Sequence, residues 1–437
     1  MLIDHPFFRA VSAQTASFRA ASRGAVVLPA LRLGLFMVAA MVAAGCHGSG
    51  DFEPLGSQKI YVSDKFFDVA VLDEQNVFVV GYGGKILSSS NGGMSWDLVD
   101  SGTDSGLFSI SFSDDKNGWI VGQEGMILRT VDGGNSWTRQ TPEIFTTADC
   151  RDTEYRDSVY DDCRLEKDAA AEILRSLGSK NLDTIEVEEA RLERECRQFA
   201  SEECPQAYLF SVQALDADSA VAIGDRSVFM RTDDGGASWS VQTLTAENTD
   251  IDPNWAIVFE DPVLYDVEFV DDQNGFVVGE FGKIYHTADG GETWMERQKS
   301  LMDETIFDIM DLPTLFDVEI AADGKSGVVV GLDGRVGRSS DGGKTWGFEP
   351  HGVKEYVDPF YSGTVLGDGT VWAVGSSGQV VKTGDDGRLS RGSFGTAINS
   401  WVRRIRFIDN ENGWVVGGFG LIMNTTDGGK TWYRRMG

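Results

Sequence analysis

Asp289-Gly290-Gly291-Glu292-Thr293-Trp294 is one of six copies of a hexapeptide that punctuates the chain; the others are Asn91–Trp96, Asp132–Trp137, Asp234–Trp239, Asp341–Trp346 and Asp427–Trp432. Each copy follows a short apolar run, such as Lys283–Thr287 or Leu421–Thr425, and precedes another extended-looking run, so it sits where a hairpin turns. Its chemistry suits that place. An Asp or Asn side chain bonds its own backbone two residues on, two glycines accept positive φ, and the closing Trp offers a large apolar surface to seal an edge.

Aligned on this turn, the chain resolves into seven units: 66–102, 107–142, 209–244, 264–300, 315–350, 360–395 and 401–437. Each has the plan of four short strands, as in Leu264–Phe269, Gly275–Gly279, Lys283–Thr287 and a last run after the Trp. Asn-Gly, a strong hairpin signal, stands between the first and second runs at Asn117-Gly118, Asn274-Gly275 and Asn412-Gly413. Units of roughly 40 residues with four strands each specify an all-β fold, a seven-bladed β-propeller. A solenoid would need polar end caps, and no unit reads as one. In the sixth unit the turn has become Asp385-Asp386-Gly387-Arg388-Leu389-Ser390, without the Trp, which predicts a weak outer edge. The last unit carries all four of its own strands, which leaves ring closure open; residues 57–62 are placed to add a strand to it, within a linker over 47–65.

High Gly (52) and low Pro (10) in 437 residues fit a globular chain with many tight turns. The formal charge of −30 argues against a nucleic-acid partner, which calls for the opposite sign. Arg9, Arg19, Arg23 and Arg32 precede an apolar run, Leu33–Ala44, that is too short to span a bilayer and ends in small residues before Cys46. Residues 1–46 thus read as a lipoprotein-type signal with Cys46 as the lipidated residue, although Ala43 stands where the pattern usually has Leu. The expected location is beyond the inner membrane, periplasmic or on the outer membrane. An ordinary cleaved signal is the alternative.

Setting Cys46 aside leaves Cys150, Cys163, Cys196 and Cys204, all within 143–206, in a compartment the signal makes oxidising. Two disulfides follow. Residues 163–177 and 184–199 read as an antiparallel helical hairpin, which favours the nested pairs Cys163–Cys196 and Cys150–Cys204 among three connectivities. A metal site is the rival reading, but no CxxC pair is present.

Arg406-Phe407-Ile408-Asp409, Gly413-Trp414-Val415-Val416-Gly417 and the run from Gly420 to Trp432 together resemble the repeat of the photosystem II stability/assembly factor family, part of the wider Asp-box, or BNR, repeat group. The resemblance covers about 66–437 apart from the insertions. It implies a seven-bladed propeller acting as a platform for a membrane or cell-envelope complex, a monomer with no cofactor and no catalysis of its own. Two features depart from the photosynthetic members, the Cys-bearing insertion and the acidity, and nothing in the residues makes photosystem II the client. Sialidases, xyloglucanases and sorting receptors also carry Asp boxes, so the box argues fold rather than function.

Three long insertions, 143–206, 245–263 and 301–314, all fall in links between blades and so share one propeller face, which also carries the turns holding Tyr82, Phe281 and Phe419. We read that as the partner-binding face; the plainer reading is that insertions collect where they do least harm. Alternation along the first strands puts Asp68, Ser109, Ser211, Asp266, Asp317, Ser362 and Arg404 in one ring about the channel. A second ring holds Ala70, Ser111, Gln213, Glu268, Glu319, Thr364 and Arg406. Arg403, Arg404 and Arg406 offer forks for a carboxylate or an acidic peptide end, unless they pair with acids such as Asp68. A third-strand column, Arg129, Arg231, His286, Arg338 and Lys382, reads as inter-blade pairing. The alternative function is a carbohydrate-binding or glycoside-hydrolase propeller, with Asp266, Glu268, Asp317 and Glu319 as the acids. The sialidase Arg-Ile-Pro signature is absent, and no Gly loop precedes a helix to cradle phosphate.

Overall fold

The computed structural model describes residues 59–142, 207–244, 262–302, 306, 311–354 and 356–436. The signal with Cys46, the helical insertion with Cys150, Cys163, Cys196 and Cys204, and most of the 245–263 insertion lie outside the described residues. Seven antiparallel sheets of four strands each follow one another along the chain, and in every sheet the strands lie side by side in sequence order. The innermost strands are Phe66–Val71, Leu107–Phe112, Leu209–Ala214, Leu264–Phe269, Leu315–Ile320, Phe360–Val365 and Val402–Phe407.

The second strands explain the layering. Runs such as Gly275–Gly279 and Gly327–Gly331 are buried at every residue, because each blade is covered by a neighbour on both faces. Seven apolar clusters result, each filled by side chains of two adjacent blades. The cluster between blades seven and one joins Trp414, Val416 and Ile422 to Phe66, Val77 and Leu87, so the ring is closed.

Each Asp box works as a self-contained clamp. In blade five, Asp341 Oδ1 accepts from the Thr345 N–H (2.9 Å) and from the Ser339 hydroxyl (2.9 Å), Oδ2 accepts from the Thr345 hydroxyl (2.7 Å), and Ser339 Oγ accepts from the Gly343 N–H (2.9 Å). These hydrogen bonds hold the Asp341 carboxyl down at about 2. The second box glycine also meets the preceding blade. A Cβ on Gly429 would lie 2.4 Å from the Trp372 ring, and on Gly343 2.4 Å from Phe276. The box Trp then packs edge-on against the same ring, Trp432 on Trp372 and Trp346 on Phe276. In blade six, which lacks the Trp, Leu389 is buried in the core shared with blade five.

Closure differs from the expectation of an added strand. Residues 59–62 form no strand, and the final sheet is built wholly from Val402–Phe407, Asn412–Gly417, Leu421–Thr426 and Tyr433–Arg434. Instead Ile60 enters the core between blades seven and one, and a single bridge joins Lys65 to Gly418.

Candidate functional site

The axial channel has three levels, each set by position along the innermost strands. The middle level is the first ring expected from sequence, and it is filled by an ion cluster. Arg404 donates from Nε to Asp68 (3.0 Å), from Nη2 to Asp266 (3.4 Å) and from Nη1 to Asp317, so one side chain of blade seven holds blades one, four and five. Arg404 is 5% exposed and the three acids 2%. Burial opposes the charge on Arg404, and Asp317, Asp68 and Asp266 outweigh it, raising its pKa. Burial, with the Asp317 carboxylate beside it, pushes Asp266 up to about 6 against the pull of Arg404.

Hydrogen bonds from this level stitch neighbours together. Asp68 accepts from the Ser109 hydroxyl and the Ile110 N–H (both 3.0 Å), Ser109 Oγ from the Val212 N–H (3.3 Å), and Ser211 donates to Asp266 (2.8 Å). Asp266 accepts from the Val318 N–H, Asp317 from Ser362 and the Gly363 N–H, and Ser362 Oγ from the Ile405 N–H. With Arg404 on Asp68 the circuit runs through all seven blades. Arg404 therefore belongs to the scaffold, which corrects its assignment as a partner-binding residue: its donors are spent. The same pairing removes Asp266 and Asp317 from a hydrolase role, since neither is free to face a substrate.

The level toward the blade-to-blade links was not read from the sequence. In every blade the innermost strand bulges at its second residue, as between Phe66 and Asp68 or Val402 and Arg404. The bulged residues are Phe67, Phe108, Phe210, Tyr265, Phe316, Tyr361 and Arg403. Successive aromatic rings from Phe67 to Tyr361 stand 5.0–5.7 Å apart, forming a collar. Arg403 completes it, over the Tyr361 ring at 5.9 Å and donating to the Tyr361 carbonyl at 3.1 Å. Among the described residues no carboxylate pairs with Arg403, and burial, with Arg404 close by, lowers its pKa. The sequence signal was an aromatic immediately before the ring residue in six units of seven.

The second-to-third strand turns reach this same end, where their amides bond the carbonyl just before each innermost strand, as in Tyr82 to Lys65 (2.9 Å) and Gly418 to Trp401 (3.1 Å). Tyr82 is 58% exposed and Phe419 49%, while Phe281 is half-buried. Trp401 stacks on Phe67 at 5.9 Å and links the collar to the Phe419 turn. Tyr61, Val62, Tyr82 and Phe419 thus form an exposed apolar sector at blades seven and one.

The third level opens on the opposite face as a cavity of about 810 Å³ that includes Ser111, Gln213, Glu268 and Arg406 in its lining. Arg406 pairs with Glu319 at 3.2 Å, and Glu319 also accepts from Thr364 and the Val365 N–H. Three of the third-strand column reach the next blade, Arg129 to the carbonyl of Gly235 (2.7 Å), Arg231 to that of Gly290 (3.1 Å) and Arg338 to that of Gly387 (3.4 Å), whereas His286 stacks on Phe276 and Lys382 lies over Trp372 within their own blades.

The family model of the photosynthesis system II assembly factor YCF48 matches residues 51–144 and 253–313. The photosystem II assembly lipoprotein Ycf48 of Synechococcus sp. (strain CC9902) is 31% identical over 166 residues, 38% of this chain and 47% of that protein. The protein of the same name from Prochlorococcus marinus (strain MIT 9312) is 36% identical over 74 residues, 17% of this chain and 22% of its own. The chain therefore matches less than half the length of these relatives. Two solved structures, YCF48 bound to D1 peptide and YCF48 from Cyanidioschyzon merolae, superpose with TM-scores of 0.55 and 0.56, each at 15% identity. The first covers 84% of this chain and 93% of its own, the second 83% and 96%. An ancestral GH74 enzyme superposes with a TM-score of 0.55 at 11% identity, over 87% of this chain and 47% of the enzyme, so at these identities the likeness is one of fold. Repeats, matched segments and architecture agree that the chain is a seven-bladed β-propeller similar to the photosystem II assembly factor YCF48 family.

Proposed function

We propose that the chain is a non-enzymatic protein-binding propeller, anchored through Cys46, that assists or stabilises a complex of the membrane or cell envelope by docking one of its segments on the face of the blade-to-blade links. Arg403 carries the reading. Among the described residues it is a cation without a carboxylate partner, drawn into an aromatic collar beside the exposed Tyr82 and Phe419, in a chain of net charge −30. Such a mouth suits a segment that brings a carboxylate together with apolar side chains, because a guanidinium accepts a carboxylate in a two-point fork and the rings supply contact area. The relatives named as assembly lipoproteins, and the solved structure of YCF48 bound to D1 peptide, favour the same kind of role. Of the four acids named for a hydrolase, Asp266 and Asp317 are held by Arg404 and Glu319 by Arg406, which leaves Glu268 without a second free carboxylate among them.

The test is site-directed photocrosslinking in cells of the source organism, with the crosslinker at Tyr82, at Phe419, or at Asp115 on the opposite face. Adducts to one discrete membrane-complex subunit from Tyr82 and Phe419, lost with Arg403→Gln, support the reading. Adducts unchanged by Arg403→Gln, or none from either position, overturn it.

A further inference from the structure

The cavity opposite the collar differs from it in sign. Its lining includes Asp73, Asp114, Asp115 and Asp132 near the rim and Glu268 deeper in. Against these stand Lys116 and Arg406, and Arg406 already reaches Glu319. Asp68, Ser109 and Ser211 of the middle level line it toward the axial ion cluster.

Glu268 is the group without a task. Its ring neighbours are engaged: Glu319 by Thr364 and Arg406, Gln213 by the Phe269 backbone, Ser111 by the Ala214 N–H. Among the described residues none donates a hydrogen bond to the Glu268 carboxyl. A half-buried acid with unspent acceptors in a roomy polar cavity is a seat for a donor, and the acidic rim selects donors that carry positive charge.

We infer that this cavity binds a cationic side chain, a guanidinium or ammonium from a basic segment of a second partner, with Glu268 as its seat. The inference concerns the face opposite the proposed docking mouth and stands independently of it. The groups that face Glu268 make the binding proton-linked. Burial pushes Glu268 up to about 8, Arg406 opposes, and Glu319, Asp266 and Asp317 add to the rise. A bound cation favours the ionised form, so below about pH 8 its arrival expels a proton. The rim acids behave differently: hydrogen bonds from Asn76, Asn117 and Ser136 hold Asp73, Asp114 and Asp132 below the ordinary carboxylate range, and they stay charged throughout.

The experiment is calorimetric titration of the intact protein with an acetylated, amidated (Arg-Gly)4 peptide, whose charge is constant from pH 6 to 9, and with (Glu-Gly)4 as the anionic counterpart. The expected result is saturable binding of the arginine peptide that tightens with pH up to about 8, by at most tenfold per unit, with proton release seen as a buffer-dependent heat at pH 7. Glu268→Gln should abolish both the pH dependence and the proton release and weaken binding at pH 8 about tenfold, whereas Asp115→Asn should weaken binding slightly at every pH. Binding that ignores pH, or is equal in Glu268→Gln, makes the rim charge the whole cause and overturns the inference. So does failure to bind, or equal binding of (Glu-Gly)4.

Discussion

Replacing Arg404 by Met tests whether the axial ion cluster closes the ring. The substitution keeps most of the side-chain volume and leaves Asp68, Asp266 and Asp317 buried without their cation. Removing one partner of a buried pair costs about 3–5 kcal/mol, mostly because the surviving charge is stranded. Unfolding entropy of about 2.1 cal/mol/K per residue, over roughly 290 described residues, makes each kcal/mol worth about 1.6 °C, so the melting point should fall by about 5–8 °C at pH 8. The loss should shrink at pH 5, where the stranded acids can take up protons; Asp266 stands at about 6 even with Arg404 present. Adding Asp266→Asn and Asp317→Asn should restore part of the loss at pH 8, because Asp68 is then the one acid of the three left charged without its cation. Melting followed by circular dichroism at both pH values decides the matter. A wild-type melting point for Arg404→Met at pH 8, or no recovery with the two Asn substitutions, would refute the closure argument.

Glu268 predicts a pH dependence of opposite sense to ordinary acid denaturation. Its folded pKa of about 8 lies above the usual 4.5, so the folded state binds the proton more tightly and stability falls as pH rises between those values. Glu268→Gln should flatten that slope and melt higher than wild type at pH 8 and above, measured by thermal scans from pH 5 to 9. Gly429→Ala should destabilise by about 1–3 kcal/mol, because φ is +77° and the new Cβ would meet the Trp372 ring at 2.4 Å. Denaturant titration checks this, with Gly347→Ala, which has open space, as the control.

The sequence disclosed most where the physics is local. An Asp box closes its own hydrogen bonds within seven residues, so Ser339 to Thr345 could be read as a turn without any tertiary knowledge, and six boxes with the degenerate turn Asp385–Ser390 gave the seven blades. Alternation along the innermost strands correctly grouped Asp68, Asp266, Asp317 and Arg404 around the axis. It could not show that one guanidinium spans the channel to three acids, since reach across the axis depends on the ring's diameter. The collar was hidden by the same rule that found the ring. Strict alternation sends Phe67 away from the side taken by Asp68, and only the bulge between Phe66 and Asp68 brings it into contact with Phe108. Closure by packing was likewise invisible, because Ile60 acts through the core it enters rather than through a strand pattern.

The two mouths should respond to salt with opposite signs, which separates their chemistry from any general stickiness of the protein. An anionic segment approaching Arg403 meets, at close range, a cation that pairs with no carboxylate among the described residues, and at long range the repulsion of a chain with net charge −30. Salt shortens the Debye length from about 30 Å at 0.01 M to about 8 Å at 0.15 M, removing the distant repulsion while sparing the partly buried contact. Association at the collar should therefore quicken as salt rises over that interval. At the cavity the long-range field and the local acid act together, so the arginine peptide should associate more slowly over the same interval. Stopped-flow association of a labelled acidic-aromatic peptide and of (Arg-Gly)4 measures both trends. If both rates fall with salt, the long-range field is not governing approach to the collar, and Arg403 must be acting in surroundings less acidic than the chain as a whole.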